Sequence, residues 1–380
     1  MSRLYSWSRF TGRILAAAAG IEGPPTKLTF VVTKRCYSRC TYCDIWKVKD
    51  TPGGLDRELT LDEVKAIAAA NPFLQWIDFT GGEPTDRPDF VQVIQAFAEV
   101  CPELLLIHFP TNGLATARLC EAVGQLRRTV RARLIVSVSI DGPPDLNDRL
   151  RGVRNDFAHA IDTFAAVRTE IGAENAYIGM TLHGHKASCG RTTTELVEDT
   201  FAAVNTALGQ RKQSAITRAT LHLNIPHFSP HFYGNPASQG ADGFGGEAHR
   251  KEIAAALRVA TVKSTTGSSV AMRAIERVYR AEAARYLATG RTRIVCSALL
   301  STAYLSETGQ VYPCTIWDKP LGNIRDTGYA LMPIIEKSRR DGVRRAVAAG
   351  QCPNCWTPCE AYPSIMASPL RSALASLRRD

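Results

Sequence analysis

A chain of 380 residues, 45% hydrophobic and 22% charged, is long and apolar enough for one large domain and a smaller one, and is unlike a disordered or fibrous chain. The formal charge of +10 is spread out, from Arg127–Arg128 to Arg378–Arg379, so it selects no partner among anionic cofactors, nucleic acid and membrane surfaces. No apolar run reaches the ~20 residues of a membrane span and no secretory pattern opens the chain, so the expected location is the cytoplasm, with the eleven cysteines serving metals rather than disulfides.

Residues 1–25 form an N-terminal arm in which Leu4, Trp7, Phe10, Ile14 and Leu15 recur near helical spacing, with Arg3, Arg9 and Arg13 between them. This predicts a helix packed on its own domain, with peripheral membrane contact the disfavoured reading. A strand–helix rhythm begins at Leu28. Strands are expected at Leu28–Val32, Trp76–Phe79, Leu105–Phe109, Leu134–Ile140, Tyr177–Leu182 and Leu221–Ile225. The first helix opens on a capping box of Thr60 and Glu63; others follow over 90–100, 116–126, 157–169 and 194–208. Six such units predict an α/β fold, a partial (β/α)6 TIM barrel over residues 26–235. A Gly-rich stretch, "PASQGADGFGG", and two helices fill 236–290, and a small cysteine-rich C-terminal domain occupies 291–380.

In such barrels chemistry collects at the C-terminal ends of the strands. "TKRCYSRCTYCDIW" follows the first strand, "TGGEP" the second, "PTNG" the third, "DGPP" the fourth and "IPHFSPHFYGN" the sixth. Every unusual loop therefore falls on one face. Cys36, Cys40 and Cys43 lie within eight residues and lack a fourth near ligand, which a closed zinc site needs. Three thiolates on a four-iron cube leave one iron open.

This C-x3-C-x2-C spacing after a first strand, joined to "GGEP" at the end of the next, resembles the radical S-adenosylmethionine (SAM) superfamily over residues 27–235. The resemblance implies a [4Fe–4S] cluster on Cys36, Cys40 and Cys43, with SAM chelating the fourth iron and yielding a 5′-deoxyadenosyl radical after one-electron reduction. It implies SAM contacts from Gly81, Gly82, Glu83 and Pro84, the backbone and acid of which receive the methionine ammonium. Tyr42 matches the residue near the adenine. Ser137, Ser139 and Asp141 fall where related enzymes contact ribose or substrate, although a polar barrel interior explains the serines equally well. Asn112 and Arg151 are further candidates for polar contacts to SAM.

Cys296, Gly309 and Cys314 in C-x12-G-x4-C order, then "CPNCWTPCE" with Cys352, Cys355 and Cys359, resemble the SPASM or shortened twitch domains that hold auxiliary clusters. Five cysteines in place of seven favour one auxiliary [4Fe–4S] cluster, on Cys296, Cys314 and two of the last three. A zinc site from the same thiols is the alternative. The implied role is electron transfer or structural support. Cys101, Cys120 and Cys189 match no pattern and are expected to pack.

His227, His231 and Tyr233, at the barrel mouth, are candidate acid–base or substrate-binding groups, and Tyr304, Trp317 and Asp318 could complete the pocket. The expected function is a SAM-cleaving radical enzyme on a small organic or lipid-like substrate, reduced by a donor such as flavodoxin or ferredoxin, with no nucleic-acid partner. A peptide-modifying maturase is the first alternative, disfavoured because only about 25 residues precede the first strand. A cyclase of molybdenum cofactor synthesis is another, although the chain ends "ASLRRD" where that family has a glycine-rich tail. A non-catalytic metal protein binding nucleic acid leaves "GGEP" beside the three cysteines unexplained.

Overall fold

A computed structural model describes residues 3–182, 190–235, 246–263 and 270–368. The expected strands form in order: β1 (Lys27–Thr33), β2 (Trp76–Gly81), β3 (Leu106–Thr111), β4 (Arg133–Ser139), β5 (Ala176–Thr181) and β6 (Leu221–Asn224). All pair in parallel with their sequence neighbours. Between them run α2 (Leu61–Ala70), α3 (Phe90–Val100), α4 (Thr116–Thr129), α5 (Pro144–Arg151), α6 (Asp156–Ile171) and α7 (Thr193–Gln210), after an N-terminal α1 (Arg3–Ala18). Reciprocal capping boxes fix two helix starts, Thr60 with Glu63 and Thr192 with Glu195.

β1 is buried along its whole length. Leu28, Phe30 and Val32 point into the helical layer, where Phe30, Phe79, Phe90, Phe97 and Phe109 meet largely edge to face at 5.1–6.3 Å. The alternate positions point into the barrel lumen and are polar: Lys27, Thr29, Asp78, His108 and Ser137.

Helices α8 (Glu247–Lys263) and α9 (Val270–Thr289) match the two expected before the second cysteine set. The C-terminal segment shares its sheet with the barrel. β7 (Thr302–Leu305) pairs in parallel with β1, and β8 (Gln310–Tyr312) and β9 (Gly322–Asn323) extend it in antiparallel fashion. The order is β6-β5-β4-β3-β2-β1-β7-β8-β9. Three further helices, α10 (Leu331–Arg340), α11 (Val343–Ala348) and α12 (Pro358–Met366), close the chain as described. No helix among the described residues is long and apolar enough to cross a membrane.

Candidate active site

The loop carrying Cys36, Cys40 and Cys43 has little regular structure, so its shape comes from its neighbours. The β2 exit holds its start: Gly82 N donates to Thr33 O at 2.9 Å and Glu83 N to Arg35 O at 2.8 Å. The end of α5 holds its middle, where Arg39 N and Thr41 N donate to Arg151 O and Leu150 O at 3.0 and 2.9 Å. The segment after β6 holds its end: Asp44 N donates to Tyr233 O at 2.8 Å, and Asn235 Nδ2 to Tyr42 O at 2.9 Å.

Two glycines make this possible. A Cβ on Gly82 would lie 2.2 Å from Arg35 O. One on Gly152, which has φ +66°, would lie 2.4 Å from Arg39 O. The close approach at Gly82 is made to the cysteine loop itself.

Three separately chosen candidates converge beside the loop. Tyr42 Oη donates to Asp141 Oδ2 at 2.5 Å, and Arg151 Nη1 donates to the same oxygen at 3.2 Å and to Tyr42 Oη at 3.1 Å. Asp141 Oδ1 accepts from Thr181 N at 2.8 Å. The trio ties the cysteine loop to the exits of β4 and β5. Its Arg151 ends α5, on which Asn147 also bridges Asp141 N to Asp156.

Glu83 departs from expectation. Its carboxylate, 2% exposed, accepts from Thr85 Oγ1 at 2.6 Å, Asn112 N at 2.6 Å and Thr111 Oγ1 at 3.1 Å. Both oxygens are occupied in joining the exits of β2 and β3. Asn112 in turn spends its side-chain oxygen on Leu114 N at 3.0 Å. Pro84 starts the short turn after Glu83. Ser139 is half-buried in the lumen, while Ser137 bonds His108.

The histidines are engaged at both ring nitrogens. His227 Nδ1 bonds Ile225 O at 2.8 Å and its Nε2 meets Trp356 N at 3.3 Å. His231 Nε2 bonds Cys314 O at 3.1 Å and its Nδ1 meets Ser229 Oγ at 3.3 Å, with the ring stacked on Tyr312. Burial pushes each pKa down to about 4. Each ring bridges the loop after β6 to the C-terminal cysteine region. Burial raises the pKa of Tyr233, and the Cys359, Cys43 and Cys355 thiols add to the effect.

The second cysteine set surrounds a cavity lined by Cys296, Cys314, Cys352 and Cys355, together with Trp317 and Glu360. Cys359 is not part of that lining. It faces the barrel, where Lys27 Nζ donates to its carbonyl at 2.5 Å. Cys101 packs in the core and Cys120 is half-buried, while Cys189 lies outside the described residues.

Residues 30–195, which span this cysteine loop and the β2, β3 and β4 exits, match the Radical SAM superfamily. That segment of the chain is a radical SAM domain. A GTP 3′,8-cyclase of Cronobacter sakazakii is 38% identical over 120 residues, covering 30% of this chain and 33% of the relative. A PqqA peptide cyclase of Bradyrhizobium diazoefficiens is 31% identical over 146 residues, covering 35% and 33%. The matches thus span about a third of these relatives. The structure of native anSMEcpe with bound AdoMet superposes with a TM-score of 0.55 at 11% identity, covering 93% of this chain and 100% of that one, so the fold is shared. Streptococcus suis SuiB gives 0.50 at 14% identity, over 92% and 76%. The match to a superfamily of enzymes displaces the non-catalytic nucleic-acid reading.

Radical SAM enzymes use a [4Fe–4S] cluster and SAM. The donor set here suits that cluster. Burial raises all three first-set thiols, Cys36 and Cys43 to about 12, so without a metal cation they are neutral. Thiolate is the form iron binds, and a bound metal supplies the missing positive charge. Among the described residues no three His, Cys, Asp or Glu side chains close around a single ion. A cube holds its thiolates further apart than one ion does.

Sequence reasoning passed over the lumen. Lys27, Asp78 and His108 each alternate with apolar neighbours in their strands. In a parallel sheet covered on both faces such alternation is itself the signal of a polar interior.

Proposed function

We propose that this chain is a radical SAM enzyme in which Cys36, Cys40 and Cys43 hold the SAM-binding cluster and Cys296, Cys314, Cys352 and Cys355 hold an auxiliary one. The bound cluster and SAM supply the hydrogen-abstracting radical. The protein's part is to orient and to exclude water. Gly82, the α5 end and the segment after β6 fix the cysteine loop from three sides. Tyr42, Asp141 and Arg151 fix its base against the sheet, next to where the nucleoside of SAM is placed by the superfamily resemblance. That three-sided clamp on a three-thiol loop is the observation that carries the reading.

The substrate is a small polar organic molecule. The lumen beneath the cysteine loop carries Lys27, Asp78, His108 and Ser137, which favours a polar guest over a lipid-like one. A second reading, a peptide substrate, is favoured by the PqqA peptide cyclase relative. An electron donor such as flavodoxin or ferredoxin completes the cycle.

Anaerobic reduction with SAM should release 5′-deoxyadenosine from wild type and none from the Cys36→Ala, Cys40→Ala, Cys43→Ala variant. A wild type with its full iron that releases none refutes the reading. Running the assay with GTP, with precursor peptides and with small polyols separates the substrate classes, since the true substrate accelerates release.

A further inference from the structure

A row of polar side chains crosses the lumen in one layer of the sheet. Thr29 on β1 is in register with Tyr304 on β7 and with Asp78 on β2, and Asp78 with His108 on β3. Ser137 on β4 completes the row by its bond to His108.

The hydrogen bonds give the row a direction. Asp78 is held by Lys27 Nζ on Oδ2 at 2.6 Å and by Trp76 Nε1 on Oδ1 at 2.7 Å. His108 Nδ1 meets Asp78 Oδ1 at 3.3 Å. A carboxylate oxygen only accepts, so Nδ1 carries the proton. His108 Nε2 is then an acceptor, and Ser137 Oγ lies 3.0 Å from it as donor. Burial works against the Asp78 charge, but Lys27 and His108 outweigh it and hold the carboxyl below its ordinary range. Asp78 therefore stays charged and fixes the orientation of the His108 ring.

The same layer carries polar atoms without partners. Thr29 Oγ1 and Tyr304 Oη belong to fully buried side chains and have no hydrogen-bond partner among the described residues. Buried hydroxyls are ordinarily satisfied, each unsatisfied one costing about 1–3 kcal/mol. They lie in the same layer as the row, where a bound polar group would satisfy them. His108 keeps 28% of its side chain exposed and Ser137 is half-buried, so the acceptor end of the row is open.

We propose that Ser137, His108 and Asp78 form a proton-accepting line for a hydroxyl group of the substrate bound in the lumen. This rests on the reading that the lumen receives the substrate. The substrate O–H bond breaks and its proton passes to Ser137 Oγ, while the serine's own proton passes to His108 Nε2. An oxyanion and an imidazolium facing Asp78 result, with no electron transferred. A carbon radical beside a hydroxyl makes that O–H more acidic, which is when such an acceptor is useful. Ser137 and His108 are catalytic residues; Asp78 and Lys27 are positioning residues. The charged or titratable groups facing His108 are Asp78, with Lys27 behind it, and His222 on β6.

The test needs neither substrate nor SAM cleavage, so its failure is distinct from failure of the radical SAM reading. The anaerobic iron-loaded protein is treated with phenylmethylsulfonyl fluoride from about pH 6 to about pH 9, around the range where histidine titrates, and labelled residues are found by mass spectrometry. Ser137 should be modified, because His108 Nε2 accepts its proton as Oγ attacks the reagent. His108→Gln should slow labelling about 100-fold, the scale of a general base. Asp78→Asn should slow labelling as well, because the carboxylate no longer holds the proton on His108 Nδ1. Iron content and circular dichroism establish that each variant is folded. An unlabelled Ser137 in iron-replete wild type overturns the proposal, as does equal labelling of wild type and His108→Gln.

Discussion

The two cysteine sets are held in opposite ways. Cys36, Cys40 and Cys43 come from one short loop with no packing of its own, shaped by backbone hydrogen bonds from α5, the β2 exit and the segment after β6. Cys296, Cys314, Cys352 and Cys355 come from three separated segments that converge on a cavity, with Ala298, Ile316 and Val347 packed around Cys314. The first is a contiguous motif that borrows rigidity; the second is a composite site built by the fold. A loop that borrows rigidity is sensitive to its clamps, while a composite site is sensitive to the elements that bring its pieces together.

The largest effect tests whether the two sets load independently. About eight irons per chain are expected from two four-iron cubes. The Cys36→Ala, Cys40→Ala, Cys43→Ala variant should fall to about four, and so should Cys352→Ala with Cys355→Ala, while Cys359→Ser keeps them all. Iron and acid-labile sulfide analysis after anaerobic reconstitution checks this. Loss of iron in Cys359→Ser would move that thiol into the ligand set.

Next comes the tie between the regions. Lys27 at the start of β1 pairs with Asp78, both buried, and also reaches the Cys359 carbonyl on α12. Lys27→Met leaves the Asp78 carboxylate buried without its cation, a change that costs about 3–5 kcal/mol. Urea unfolding should show it as a lower midpoint with an unchanged slope.

The clamp on the first loop is tested more gently by Gly152→Ala. The left-handed φ of +66° and the 2.4 Å approach to Arg39 O both resist a side chain. A cost of about 1–3 kcal/mol follows. Iron at the first site should drop while the C-terminal site loads normally. Equal loss at both sites would erase the distinction drawn between them.

The same distinction explains what the sequence could reveal. The first cysteine loop and its flanking βα units were legible because ligand spacing and hydrophobic period are local properties. Strand positions agree to within a residue or two, and Phe90–Val100 is α3 as expected. The α5 helix was missed although Pro144 stands at its start and Gly152 at its left-handed end. Missing it hid why Arg151 meets Tyr42 and Asp141. The choice among Cys352, Cys355 and Cys359 was undecidable from spacing, since it depends on which way α12 turns its first residues. The pairing of β7 with β1 was equally out of reach, because Thr302 lies 275 residues after Lys27 and no local pattern encodes that register. The histidines of "IPHFSPHF" misled because a rim position looks the same in sequence whether the ring is free or bonded on both sides.

The smallest effect concerns the join between the C-terminal segment and α2. Arg325 Nε and Nη2 donate to the two Glu63 oxygens at 2.6 and 3.2 Å, which with the Thr60 bonds lowers the carboxyl to about 2 against the pull of burial. The Arg325 side chain is 35% exposed, so water screens the pair and Arg325→Ala should cost only about 0.5 kcal/mol at neutral pH. The pH dependence gives the sharper reading. A carboxyl whose folded pKa is depressed stabilises the fold above its unfolded pKa of about 4.3 and loses that contribution as pH falls toward its folded value. The stability difference between wild type and Arg325→Ala should therefore be constant above about pH 5 and shrink as the pH falls below about 4. A difference that persists unchanged at low pH would mean that Arg325 acts through its bond to the Thr308 carbonyl, 2.8 Å away, and that this edge of the composite region is held by backbone contacts as the first loop is.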